Sequence, residues 1–288
     1  MKSAKLSFKR LIYMAALSAI VCVFSVCDPS DSDSSEDYSV SGNRITEQEY
    51  SASGAYVYFI EDTAVGIIEV YVLGAGGGGQ GGDKKENITE GKYNGTGGGG
   101  GGGAAAYMKL AVDRSSLPVT LSITVGKGGE GGGYVSKGGG TPDESGLPGS
   151  MGGSSSVRWE SKSVNLSVEG GAGGGGNGTS VSGGAGGRAD EASLPYGKAV
   201  YKKGKVSAGK NGANGSLKSD IMSEGGKAAE LSIGSSSHFG GGNGGRRTSG
   251  GVTGAQNGGG GSGGYSNASG ARGGDGMVYI ILSTADGR

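Results

Sequence analysis

The chain has 288 residues, 70 of them glycine and only 33% apolar, so it lacks the side chains for a core of ordinary size; glycine normally supplies about 7% of a protein. Lys plus Arg and Asp plus Glu both number 26, and a formal charge of zero argues against a basic groove for nucleic acid. The single histidine, His238, excludes zinc sites built on several histidines.

Residues 1–27 read as a targeting segment. Lys2, Lys5, Lys9 and Arg10 form a positive start, and residues 11–26 are apolar except for Tyr13, Ser18 and Ser25. That run is short for a membrane span. It ends Phe24-Ser25-Val26-Cys27 and is followed by Asp28-Pro29-Ser30-Asp31. This resembles a bacterial lipoprotein signal, with Val26 where Gly, Ala or Ser is usual, and implies that Cys27 becomes the lipidated first residue and the membrane anchor. An ordinary cleaved signal peptide with an incidental cysteine is the alternative. Cys22 leaves with the signal, so the mature chain has no thiol pair to compensate for a small core with a disulfide.

Residues 28–50 carry Asp28, Asp31, Asp33, Glu36, Asp37, Glu47 and Glu49 among serines, the composition of a disordered acidic tether without secondary structure. As a flexible coil it spans on the order of 25 Å.

From residue 51 to 288 short β-patterned runs alternate with glycine tracts. The period of two is clearest over residues 117–125, where Leu117, Val119, Leu121, Ile123 and Val125 share one face. Val164, Leu166 and Val168 repeat it. Residues 55–60, 67–73, 104–112, 155–159 and 277–282 complete a set of about seven strands. Runs such as Val70-Tyr71-Val72-Leu73 are apolar on both faces, as in central strands covered on both sides. The expectation is an all-β fold, a small sandwich with long glycine-rich excursions, with the first and last strands in one sheet.

Each glycine costs roughly 0.5 to 1 kcal/mol relative to alanine. A tract such as 97–103 therefore carries several kcal/mol against a net stability of about 5 to 15. Either the tracts are disordered linkers, or they pack as polyglycine II helices, the favoured reading. In such helices, with three residues per turn and no internal hydrogen bonds, the backbone bonds laterally to neighbours. Residues 170–174, 183–187 and 240–245 fit that description, although no strict collagen period is present.

The order of these features resembles a family. Residues 68–79 (IEVYVLGAGGGG), the run 98–107 ending Ala104-Ala105-Ala106-Tyr107, residues 121–129 (LSITVGKGG) and the closing 273–280 (GGDGMVYI) look like the glycine-rich domain of bacterial surface and phage tail-fibre proteins, also found outside the cell in the anaplastic lymphoma kinase receptors. The likeness covers residues 54–284. It implies β-strands carrying a bundle of polyglycine II helices, with roles in binding or adhesion. Residues 188–239 are richer in Lys, Ser and Ala and depart from it, so an insertion is expected there.

Chemical motifs are weak. Gly74, Gly76 and Gly79 satisfy G-x-G-x-x-G after a strand, but the chain then runs into more glycine with no helix to cradle a phosphate, so no cofactor is expected. His238 reads as a surface-loop residue. The pairs Asp143-Glu144 and Asp190-Glu191 are adjacent in sequence, unlike a glycosidase pair across a cleft. Asp275 reads as a turn residue without a metal. Sequons such as Asn165-Leu166-Ser167 and Asn214-Gly215-Ser216 follow from a Gly/Ser/Asn-rich composition. No catalytic constellation is expected, and the protein reads as a non-enzyme.

Bulky side chains in otherwise bare tracts, namely Tyr134, Tyr196, Tyr201, Phe239, Arg246, Arg247 and Tyr265, are the candidate ligand contacts, because Tyr and Arg most often anchor interfaces. The expected role is an exported surface or envelope lipoprotein whose glycine-rich domain binds a protein or glycan on another cell or in the envelope. The alternative is a structural, self-associating envelope scaffold.

Overall fold

The computed structural model describes residues 42–82, 97–134, 146–175, 182–189, 200–215, 223–233, 237–248, 251–253, 255–264 and 268–285. Cys27 and the signal lie outside the described residues. So do residues 28–41 of the acidic stretch.

Among the described residues thirteen strands form, all paired antiparallel. A five-stranded sheet has the order β1 (Arg44–Tyr50), β13 (Met277–Ser283), β3 (Ile67–Leu73), β4 (Ala105–Ala111), β8 (Val200–Ser207). A four-stranded sheet has the order β2 (Gly54–Ile60), β5 (Val119–Val125), β6 (Ser155–Trp159), β7 (Val164–Val168). Two hairpins, β9–β10 (Glu230–Ile233 and Ser237–Gly240) and β11–β12 (Arg246–Thr248 and Gly251–Thr253), complete the set.

The two large sheets stack as a sandwich, and the period of two decides what lies between them. From the five-stranded sheet Ile68, Val70, Val72, Ala106, Met108, Leu110, Val278, Ile280 and Leu282 enter the core. From the other sheet come Val119, Leu121, Ile123, Val125, Val157, Trp159, Val164, Leu166 and Val168. Burying one such side chain stabilises by about 1.5 to 3 kcal/mol.

The outer face of the five-stranded sheet is covered as well. Tyr71, Leu73, Ala105 and Ile281 pack there against Ala228, Ala229, Leu231 and Phe239, brought over by the β9–β10 hairpin and the chain before it. This is why β3 and β13 are apolar on both faces.

Several expectations need correction. Residues 44–50 do not belong to a structureless tether, because β1 pairs with β13 over Arg44↔Ser283 to Tyr50↔Val278. Its side chains are almost all exposed, so backbone bonding holds it without an apolar signal. The run 55–60 and the last strand lie in different sheets; β1 is the strand beside β13. The stretch 188–239 is no separate insertion, since it supplies β8 and the covering strand β9. The strand count exceeds seven because β1, β8 and the short hairpin strands carry little apolar alternation.

Candidate functional site

The strand ends Leu73, Ala105, Val125, Ser155, Val168, Ser207 and Met277 all lie at one end of the sandwich, as the registers Met277↔Leu73↔Ala105↔Ser207 and Ser155↔Val168 show. From that end the chain runs outward along residues 74–82, 126–134, 169–175, 208–215 and 258–264. It returns along 97–104, 146–153, 182–189, 223–229 and 268–276. Lateral bonds hold an outward segment antiparallel to returning ones and parallel to other outward ones: Gly76, Gly79 and Gly82 donate to Gly274, Ala271 and Ala268 in reverse order, whereas Gly129 and Gly132 donate to Gly76 and Gly79 in the same order.

The bonding repeats every three residues and rotates among neighbours. In segment 74–82, Gly74, Gly77 and Gln80 donate to Ala104, Gly101 and Gly98. Ala75, Gly78 and Gly81 donate to Gly153, Ser150 and Leu147. The third set, just given, faces 268–276. Its carbonyls accept from three further segments: from Gly129 and Gly132, from Gly171 and Gly174, and from Gly261 and Gly264. Segment 74–82 thus has six neighbours. So does 97–104, which bonds to 74–82, 169–175, 182–189, 209–215, 223–229 and 258–264. These are packed polyglycine II helices. Among the described residues positive φ is confined to Gly175 and Gly258 at segment ends, Gly240 and Gly241 where β10 ends, Gly54 at the start of β2 and Ser163 in the turn before β7, which fits a left-handed helix of three residues per turn.

The requirement for glycine is steric. An added Cβ on Gly78, Gly79 or Gly101 would stand 2.0 Å from the carbonyl oxygen of Glu130, Ser262 or Ala185. The entropic handicap of each glycine, roughly 0.5 to 1 kcal/mol, is offset by a lateral N–H···O bond with a net worth of about 0.5 to 1.5.

Side-chain amides and carboxylates take over where a neighbouring segment ends. Gln80 is fully buried; its carboxamide accepts from the Gly98 N–H and donates to the Gly146 carbonyl, both at 3.1 Å. A Cβ on Gly175, the last described residue of its segment, would lie 2.6 Å from the Gln80 carboxamide carbon. On one flank Asn214 Oδ1 accepts from Gly183 at 2.8 Å and Asn211 Oδ1 from Gly186 at 2.9 Å, keeping the three-residue register. Asp275 is no turn residue: it lies in segment 268–276, and its Oδ1 accepts from Gly128 at 2.7 Å.

The candidate contacts scatter. Tyr134 stands exposed at the far end of the bundle with Leu147, whose N–H donates to Gly133. Arg246 is exposed and paired with Glu224 at 2.7 Å. Phe239 is no contact residue: it is 2% exposed and its ring lies 5.6 Å from that of Tyr71, because β10 carries it over the outer face of the five-stranded sheet. Tyr201 falls on β8 opposite Lys109, and Arg247 on β11 opposite Val252. Tyr196 and Tyr265 lie outside the described residues, as do Asp143, Glu144, Asp190 and Glu191. His238 is a residue of β10, opposite Ser232. The triplet Gly74, Gly76 and Gly79 belongs to a six-neighbour helix, so its amides are already spent on backbone carbonyls.

Sequence reasoning missed a tyrosine row. Tyr279, Tyr71 and Tyr107 sit directly opposite one another on β13, β3 and β4, with the Tyr71 ring 4.6 Å from Tyr107 and 6.2 Å from Tyr279. Tyr71 donates to Glu69 at 3.2 Å, and Lys109 pairs with Glu69 at 3.6 Å. Burial, then the neighbouring Tyr107 and Glu69, pushes the Tyr71 hydroxyl far up; burial and Glu69 do the same to Tyr107. Both hydroxyls stay neutral at ordinary pH, so neither serves as a base there. The available signal was the tyrosines placed alike in three apolar runs, which becomes readable only once the register is known.

A sequence-family model described as a glycine-rich domain matches residues 51–282. No curated protein matches the chain.

Proposed function

Because the chain belongs to the glycine-rich domain family, we propose that it is an exported, lipid-anchored surface or envelope protein that binds a protein or glycan through the far end of its bundle, without catalysis. One observation carries this reading, the opposed poles of the domain. The chain enters at Gly42 and Asn43, where Thr284 bonds to Asn43, and this is the end of the five-stranded sheet away from the bundle. Five pairs of segment ends, 82/97, 134/146, 175/182, 215/223 and 264/268, meet at the opposite pole. Strands of seven residues and a nine-residue helix at about 3.3 and 3.1 Å per residue put the poles about 50 Å apart. A polyglycine II bundle is a stiff support for what the far pole presents.

The test is a cell-binding assay with full-length protein in which 83–96 or 135–145 is replaced by Gly/Ser of equal length. Reduced saturable binding to cells, matrix proteins or glycans is expected. Unchanged binding with both replacements, or no saturable binding by the natural chain, would defeat the reading. Anchoring is tested separately: Cys27→Ser should move the protein from the membrane to the soluble fraction and abolish incorporation of labelled fatty acid.

A further inference from the structure

Among the described residues the two large sheets end in four edge strands, which are not alike. β1 carries Arg44, Glu47 and Glu49, and β8 carries the exposed Lys205, charges of the kind that guard an edge against added strands. β7 is uncharged but has only five residues, and Arg158 of β6 reaches its Asn165 at 3.3 Å. β2 has no such protection. Its seven residues, Gly-Ala-Tyr-Val-Tyr-Phe-Ile, include no charge and no proline. It pairs with β5 on one side, and on the other its backbone groups have no partner among the described residues. Tyr56 and Tyr58 turn inward against the core, whereas Val57 and Phe59 are 69% and 51% exposed on the outer face.

We propose that the β2 edge pairs antiparallel with the β2 edge of a second copy of this chain, about a twofold axis through Val57, joining the two four-stranded sheets into one of eight. In that register Val57 faces Val57, and Ala55 faces Phe59 of the other copy, small against large on the outer face. On the inner face Tyr56 meets Tyr58 and Gly54 meets Ile60. Charge decides the occupant. A strand without charge can meet itself with no like-charge repulsion, whereas the chain's own segment 28–41, with Asp28, Asp31, Asp33, Glu36 and Asp37, would set carboxylates beside Val57 and Phe59. The pairing is independent of the binding role proposed above, and its readout is mass in the absence of any ligand.

The experiment is sedimentation of the purified full-length chain over a range of concentrations, beside Val57→Lys and Val57→Glu. The natural chain should show a monomer–dimer equilibrium. Each variant places like charges on the twofold axis and should raise the dissociation constant by more than about tenfold. Mixing the two variants should restore a dimer, which a merely unfolded variant cannot do. A natural chain that stays monomeric throughout, a dimer indifferent to both substitutions, or a mixture that fails to pair would each overturn the proposal.

Discussion

A methyl group added to Gly100 would lie 2.1 Å from the carbonyl oxygen of Gly77 on the adjacent helix. The obstacle is backbone, and Gly77 itself donates to Gly101 at 2.9 Å, so relief would break the array. Gly100→Ala should therefore destabilise by at least the 1 to 3 kcal/mol or so typical of overpacking. Gly133→Ala is the control, since its Cβ would meet only the Leu147 side chain at 3.6 Å; its effect should stay within about 0.5 kcal/mol. Chemical unfolding of both variants checks the contrast.

Gln80 has close to the right shape for its site but leucine does not have its chemistry. Gln80→Leu leaves the Gly98 N–H and the Gly146 carbonyl without their side-chain partners in a buried place, at about 1 to 3 kcal/mol for each unsatisfied group. A fall in unfolding free energy of at least about 2 kcal/mol is expected, and a neutral substitution would contradict the capping role.

Asn211→Ala and Asn214→Ala remove acceptors from an exposed flank, where water substitutes. Each should cost at most about 1 kcal/mol. The sharper readout is hydrogen exchange, which should speed up at Gly186 in the first variant and at Gly183 in the second while amides of 74–82 remain protected.

Tyr279 and Glu47 give the domain a pH signature. Burial and donation to Glu47 push the Tyr279 hydroxyl up to about 12 from an ordinary 10.0. A raised folded-state value means stability complete below about pH 10 and lost as pH climbs through about 12. Glu47 is held below its ordinary 4.5, first by the Tyr279 hydroxyl and then by Arg44, so its contribution is present above that value and lost as pH falls below it. Tyr279→Phe should flatten both limbs of a stability–pH profile; unchanged limbs would remove the pair from the account.

Much of the sandwich was legible because burial enforces alternation. Residues 117–125 read as a half-buried strand and the structure forms it from Val119 to Val125, while 67–73, 155–159 and 164–168 end where the structure ends them. β1 was illegible for the converse reason: Arg44, Glu47 and Glu49 are exposed on a strand held by backbone bonds to β13, and the same residues read as tether. Among the candidate contacts, Phe239 and Tyr134 look alike in sequence, each a bulky residue amid glycines. One is a core residue and the other stands exposed at the far pole.

By itself the sequence determined that this is an all-β chain with a small core, and it narrowed the glycine tracts to linkers or, the favoured reading, packed polyglycine II helices, because composition and periodicity act locally on every residue. Only the tertiary structure decided which carbonyl each amide meets, that 74–82 and 97–104 sit at the centre with six neighbours each, and that Gln80 closes the interior. Those outcomes depend on contacts between segments far apart in the chain, and a glycine carries no side chain by which its partner could be read beforehand.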